Sequence, residues 1–108
     1  MATNRFARID TVRLELSDGD WIEVKRELTY GDILELQELS NTPDEGDIVR
    51  FNGREFSLNR ILTWVVAWSF EDENGPVELT RDAVRALNAE AAGEINGALN
   101  EHQESRKN

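Results

Sequence analysis

This chain predicts an α+β fold: an N-terminal β-hairpin packed on three to four helices in a single small domain. Three observations lead there. Two runs that alternate apolar and polar residues, Thr11-Val12-Arg13-Leu14-Glu15-Leu16 and Trp21-Ile22-Glu23-Val24-Lys25, flank Ser17-Asp18-Gly19-Asp20. Downstream stretches place apolar residues at helical spacing behind Ser, Thr or Asn. No internal repeat or long linker divides the 108 residues, so 1–108 reads as one domain, with 1–8 and 104–108 expected to fray.

Asp-Gly between alternating runs is a strong hairpin signal, because Gly accepts the positive φ of a tight turn. Val12, Leu14 and Leu16 share one face, as do Ile22 and Val24 on the partner strand. Trp21 follows the turn, and its ring is expected to fold back over the hairpin.

Thr29 is placed to cap a helix, and Asp32 stands where a capping box puts its acidic partner. Ile33, Leu36 and Leu39 then recur at helical spacing, with Leu34 beside them. Residues 40–47 read as loop by composition. Over 48–56, Asn52-Gly53 would turn a very short second hairpin. A loop pinned by Phe51 and Phe56 is favoured instead, because so small a two-stranded piece is marginal.

A tryptophan helix is predicted over 57–69. At ~100° per residue, Leu58, Ile61, Leu62, Trp64, Val65, Val66 and Trp68 cover an apolar arc of roughly 200°. A surface helix needs about half of that. This helix is therefore either the pillar of the core or part of a partner surface. Glu71-Asp72-Glu73-Asn74-Gly75-Pro76 is an acidic turn. Thr80 is expected to cap a short helix over 81–87, and Asn88 a last helix over 89–103 whose stripe is Ala91, Ala92, Ile95, Ala98, Leu99 and His102. Gly93 and Gly97 weaken that helix by ~1 kcal/mol each relative to Ala. Small residues bury little area, so it is expected to be a cover that undocks reversibly from the tryptophans.

The 12 basic and 22 acidic residues give a formal net charge of -10. That balance argues against nucleic-acid binding by phosphate neutralisation and against anionic membranes. A DNA-mimic inhibitor is a lesser alternative that rests on charge alone. There is no cysteine, so disulfides, thiol catalysis and zinc–thiolate sites are out. The first residues lack the apolar core of a signal peptide, and no apolar run approaches the ~20 residues of a membrane span. The expected location is the cytoplasm or a particle.

No motif carries catalysis. Aligning Gly75 with the invariant glycine of a calcium loop puts Phe70 and Arg81 at ligand positions, which rules that loop out. Asp44-Glu45-Gly46-Asp47 reads as a solvated acidic loop. His102 is the only histidine, and a lone histidine on a helix stripe reads as packing or surface rather than catalysis. No phosphate loop, nucleophile elbow or metal-spaced histidine pair occurs. The expectation is no enzyme, cofactor or metal.

The stretches "DGDWIEVKRELTYGD", "NRILTWVVAWSF", "DENG-PVELT" and "DAVRALNAEAAGEINGALNEH" together resemble the tail assembly chaperones and related small tail-module proteins of long-tailed bacteriophages and prophages. The most distinctive elements are Trp64, Trp68, Ser69, Phe70, Gly75, Pro76, Leu79, Thr80 and Leu87. The resemblance spans nearly the whole chain and includes no catalytic motif. It implies a non-enzymatic assembly factor of the host cytoplasm that binds the tape-measure protein and helps recruit tail-tube subunits. A permanent virion protein of the tail or head–tail junction is the alternative, and homo-oligomerisation is left open. The partner surface expected on this reading is Trp64 and Trp68 with Ile33, Leu36 and Leu39.

Overall fold

The hairpin forms where the alternation places it. A computed structural model describes residues 4–43, 49–51 and 53–105. In it β1 (Thr11–Glu15) pairs antiparallel with β2 (Trp21–Lys25), from Thr11↔Lys25 to Glu15↔Trp21. Ile22 and Val24 are fully buried. On the opposite face the Arg13 guanidinium lies 3.9 Å from the centre of the Trp21 ring, so that ring does fold back over the hairpin.

Residues Ser17–Gly19 form a 3-10 turn with Asp18 at φ 57° and Gly19 at φ 80°. Asp tolerates this left-handed region, whereas a β-branched residue is strained there. Nothing lies within 4 Å of a Cβ built on Gly19, so the cost of a side chain is backbone strain alone. Gly19→Val is expected to lose about 1–2 kcal/mol, seen as a clear drop in melting temperature. A variant that melts like the parent would move the turn elsewhere.

α1 (Tyr30–Ser40) begins with the capping box. The Thr29 N–H donates to Asp32 Oδ2 (3.1 Å), and the Asp32 N–H donates to Thr29 Oγ1 (3.0 Å). Lys25 Nζ lies 3.2 Å from Asp32 Oδ1. Burial, the largest influence, raises the Asp32 carboxyl; the Thr29 N–H and the Lys25 ammonium outweigh it and leave the pKa below its ordinary 3.8. A depressed folded-state pKa gives stability that is present above the unfolded value and lost as pH falls through the folded one. Asp32→Asn is therefore expected to cost roughly 0.5–1 kcal/mol at neutral pH. That deficit should close as pH drops below about 4. A deficit that persists unchanged at lower pH would mean that charge is not what Asp32 contributes.

Two corrections follow in the middle of the chain. Part of the expected loop is strand: β3 (Asn41–Pro43) pairs antiparallel with β4 (Val49–Phe51). Gly53 opens α2 (Gly53–Trp64) rather than turning a hairpin. Residues 44–47, the Phe51 side chain and Asn52 lie outside the described residues.

The second correction is the larger. The tryptophan helix stops at Trp64, and the chain passes directly into β5 (Val65–Trp68), the third strand of a sheet ordered β1-β2-β5. Its register on β2 is Ile22↔Trp68, Glu23↔Ala67 and Val24↔Val65, with an irregularity between Glu23 and Val24. Val66 is the extra residue of this bulge. It faces outward, while Val65 and Trp68 both turn into the core. The adjacent β-branched Val65 and Val66 favour a pleated strand, and pairing covers the otherwise open edge of β2.

β6 (Glu71–Asp72) and β7 (Gly75–Pro76) make a small acidic hairpin, with Gly75 at φ 111°. α3 (Arg81–Ala86) is capped by Thr80, whose Oγ1 accepts from the Ala83 N–H at 3.1 Å. α4 (Ala89–Ser105) is capped by Asn88, whose Oδ1 accepts from the Ala91 N–H at 2.8 Å. α4 thus runs past 103, to Ser105. One core joins Ile22, Val24, Ile61, Trp64, Val65, Trp68, Val84, Ile95 and Leu99.

Candidate partner-binding surfaces

The five residues expected to bind a partner separate into two groups. Trp64 and Trp68 are only 4% and 9% exposed, so they belong to the core and reach the surface only as lining of clefts. Leu36 is buried as well. Ile33 and Leu39 remain 41% and 47% exposed, and Leu34, between them on α1, is 45% exposed.

The buried residues are held by specific contacts. The Trp64 ring meets His102 edge-on, with centroids 5.6 Å apart at 89°. His102 Nε2 lies 3.2 Å from the Lys25 carbonyl and 3.1 Å from that of Arg26. Both partners are acceptors, so Nε2 carries the proton and donates. His102 is therefore a packing residue that ties α4 to the end of β2.

Trp64, Leu36 and Ile33 meet in one cleft between α1, α2 and α4, of about 410 Å³, completed by Leu28, Phe56, Arg60 and Gln103. Trp64 forms the floor and α1 one wall. Burial pushes the Arg60 guanidinium below its ordinary pKa, and its Nη2 donates to Asn100 Oδ1 at 2.6 Å. Leu39 lies on the other side of α1, in a shallow recess with Val66 and Leu62.

A second cleft, about 740 Å³, is absent from the sequence expectation. Its walls are Trp68, Phe70, Val77, Ala83, Ala86, Leu87 and Ala91, and Asp20, Glu71 and Asp72 stand among its lining residues. The lining includes no Lys, Arg or His. It is built from residues adjacent to the core. Trp68 Nε1 donates to the Val77 carbonyl (2.7 Å), and the Trp68 and Phe70 rings lie 5.0 Å apart. Ser69 Oγ accepts from the Trp21 N–H and donates to Asp20 Oδ1, both at 2.9 Å, which joins β5 to the hairpin turn. Trp68, Ser69, Phe70 and Leu87, four of the residues that carry the resemblance, line this cleft. The visible signal was the acidic turn that directly follows an aromatic cluster. Assigning Trp68 to a helix concealed it.

Among the described residues no group of three or more His, Cys, Asp or Glu is placed to hold a metal ion. No helix among them is long and apolar enough to cross a membrane. The Asn59 amide is buried, with Oδ1 accepting from Arg81 Nη2 at 2.5 Å, and its Nδ2 has no hydrogen-bond partner. Ser69 and Asp20 form a hydroxyl–carboxylate pair that braces two strands. The surfaces on offer are one acid-lined cleft with apolar walls, one largely apolar cleft, and exposed apolar side chains on α1, which suit binding. No protein-family model, curated protein or solved structure matches the chain.

Proposed function

We propose that the chain is a non-enzymatic assembly factor of long-tailed phage tails. In this reading it acts in the host cytoplasm, binds the tape-measure protein and helps recruit tail-tube subunits. One structural observation supports it most: α1 presents Ile33, at 41% exposure, on the wall of the apolar cleft floored by Trp64, with Leu34 at 45% and Leu39 at 47% on its other faces. An apolar groove with an exposed apolar side chain on its wall suits an amphipathic helix laid along it. The tape-measure protein, long and largely helical, offers such segments. The formal charge of -10 keeps a chain with exposed apolar surface dispersed. The resemblance in residue pattern supports the same reading.

The test is capture of the co-expressed tape-measure protein by Ile33→Asp, Leu34→Asp and Leu39→Asp variants. These side chains are half exposed, so each variant is expected to stay folded, within about 1 kcal/mol of the parent. Binding is expected to weaken by about tenfold or more where an anchor is lost. Folded variants that capture the tape-measure protein undiminished would remove α1 as the client surface. Recovery of the protein in purified particles would favour the permanent virion component instead.

A further inference from the structure

We infer that the chain associates with copies of itself, with residues 4–9 of one copy docked in the acid-rimmed cleft of another. The inference does not depend on the identity of the client. It starts from an anomaly of exposure. Phe6 and Ile9 are 87% and 93% exposed, higher than any other large apolar side chain among the described residues. They belong to the run Arg5-Phe6-Ala7-Arg8-Ile9, a cationic and apolar segment in a chain whose net charge is -10.

The cleft has the opposite character. Its apolar walls receive a bulky side chain, and Asp20, Glu71 and Asp72 line it without a cation. Its volume, about 740 Å³, is that of a ligand-sized site. Arg5 and Arg8 flank Phe6 as such a rim requires, and opposite potentials favour encounter and fix register.

Geometry excludes the arm of the same copy. The root of the arm is fixed beside the end of β2. The Arg8 N–H donates to Glu27 Oε2 (3.0 Å), the Arg26 N–H donates to the Asp10 carbonyl (3.0 Å), and Arg26 Nε donates to Asp10 Oδ2 (2.7 Å). The cleft lies at the other end of the hairpin, by Gly19 and Asp20. Between them runs β1, whose five residues span about 17 Å. From Arg8 the chain reaches Phe6 in two residues, about 7 Å. Phe6 therefore falls short of its own cleft and is free for another's. Arm and cleft at opposite ends let two antiparallel copies exchange arms about a two-fold axis, and equally let one copy follow another into a ring or filament; the intermolecular arm–cleft contact is common to all of these.

The test uses the full chain in sedimentation velocity. The parent is expected to show concentration-dependent association into dimers or larger species, which dissociate at high ionic strength. An arm variant (Arg5→Glu, Phe6→Ala, Arg8→Glu) and a cleft variant (Glu71→Lys, Ala86→Lys), each confirmed folded by circular dichroism, are expected to be monomeric. Their association should weaken on the order of tenfold or more. Mixed together, they retain one intact arm and one intact cleft, so a one-to-one dimer and nothing larger is expected. A labelled peptide of residues 4–9 is expected to bind the arm variant and to break up parent oligomers. The peptide gives the answer even if the cleft variant fails to fold. A parent that stays monomeric, an arm variant that associates like the parent, a mixture that forms no dimer, or a peptide that does not bind would each overturn the inference. Binding of a tape-measure segment in the cleft with no self-association would assign the cleft to the client instead.

Discussion

Trp68→Ala is expected to cost about 3–5 kcal/mol, enough to unfold a domain of ordinary stability at moderate temperature. Three separate losses contribute. The ring fills the core opposite Ile22, where β5 closes the sheet. It packs on Phe70 at a centroid distance of 5.0 Å, so removing it loosens the link into the acidic hairpin. Its Nε1 donates to the Val77 carbonyl at 2.7 Å, and truncation leaves that part-buried acceptor unmade. Trp68→Phe separates these effects, because it keeps most of the packing and deletes the N–H. It should cost about 1–3 kcal/mol, with urea midpoints ordered parent, Phe, Ala. A Trp68→Ala protein that unfolds at the parent midpoint would return Trp68 to the surface and revive it as a partner anchor.

The misreading of Trp68 has a physical origin. A β-bulge lets two inward residues stand three apart, as Val65 and Trp68 do. Appended to Ile61 and Trp64 on α2, that spacing imitates the i, i+3, i+4, i+7 rhythm of one long helix. Local signals are unambiguous. The hairpin turn, the Thr29–Asp32 box and the Thr80 and Asn88 caps each lie within a few residues and have the expected bonds. The pairing of β3 with β4 is short and spans undistinguished sequence, so periodicity did not reveal it.

The candidate surfaces divide along the same line. Ile33 and Leu39 were legible because helical spacing on α1 sets them on either side of the buried Leu36. The burial of Trp64 depends on α4, some forty positions away in sequence. The acid-rimmed cleft draws on the hairpin turn, on the segment after β5, and on α3 and α4. No window of sequence contains it.

Native-state hydrogen exchange is expected to show α4 opening only with the whole domain, contrary to the reversible cover that its small residues implied. Gly93, Gly97 and most of the alanines are peripheral to the attachment, which rests on Ile95 and Leu99, both fully buried. Burying two such side chains contributes about 3–6 kcal/mol. Polar ties add to this at both ends and along the helix. Glu94 accepts from the Ser17 N–H (2.7 Å) and from Ser17 Oγ (3.0 Å), which holds α4 to the hairpin turn. Asn100 accepts from Arg60, and His102 donates to the Lys25 and Arg26 carbonyls at the end of β2. Releasing the helix would therefore expose Trp64 and cost an energy comparable with the total of about 5–15 kcal/mol that holds a domain together. The amides of Ile95 and Leu99 should exchange with the same free energy as those of Ile22 and Val24 in the central strand. Leu99→Ala should lower all four together, by about 2–5 kcal/mol. Exchange at Ile95 and Leu99 several kcal/mol below the β2 amides would identify α4 as a separate unit. Trp64 would then be reachable by a client without unfolding of the sheet, and the tryptophan face would compete with α1 as the place where the tape-measure protein docks.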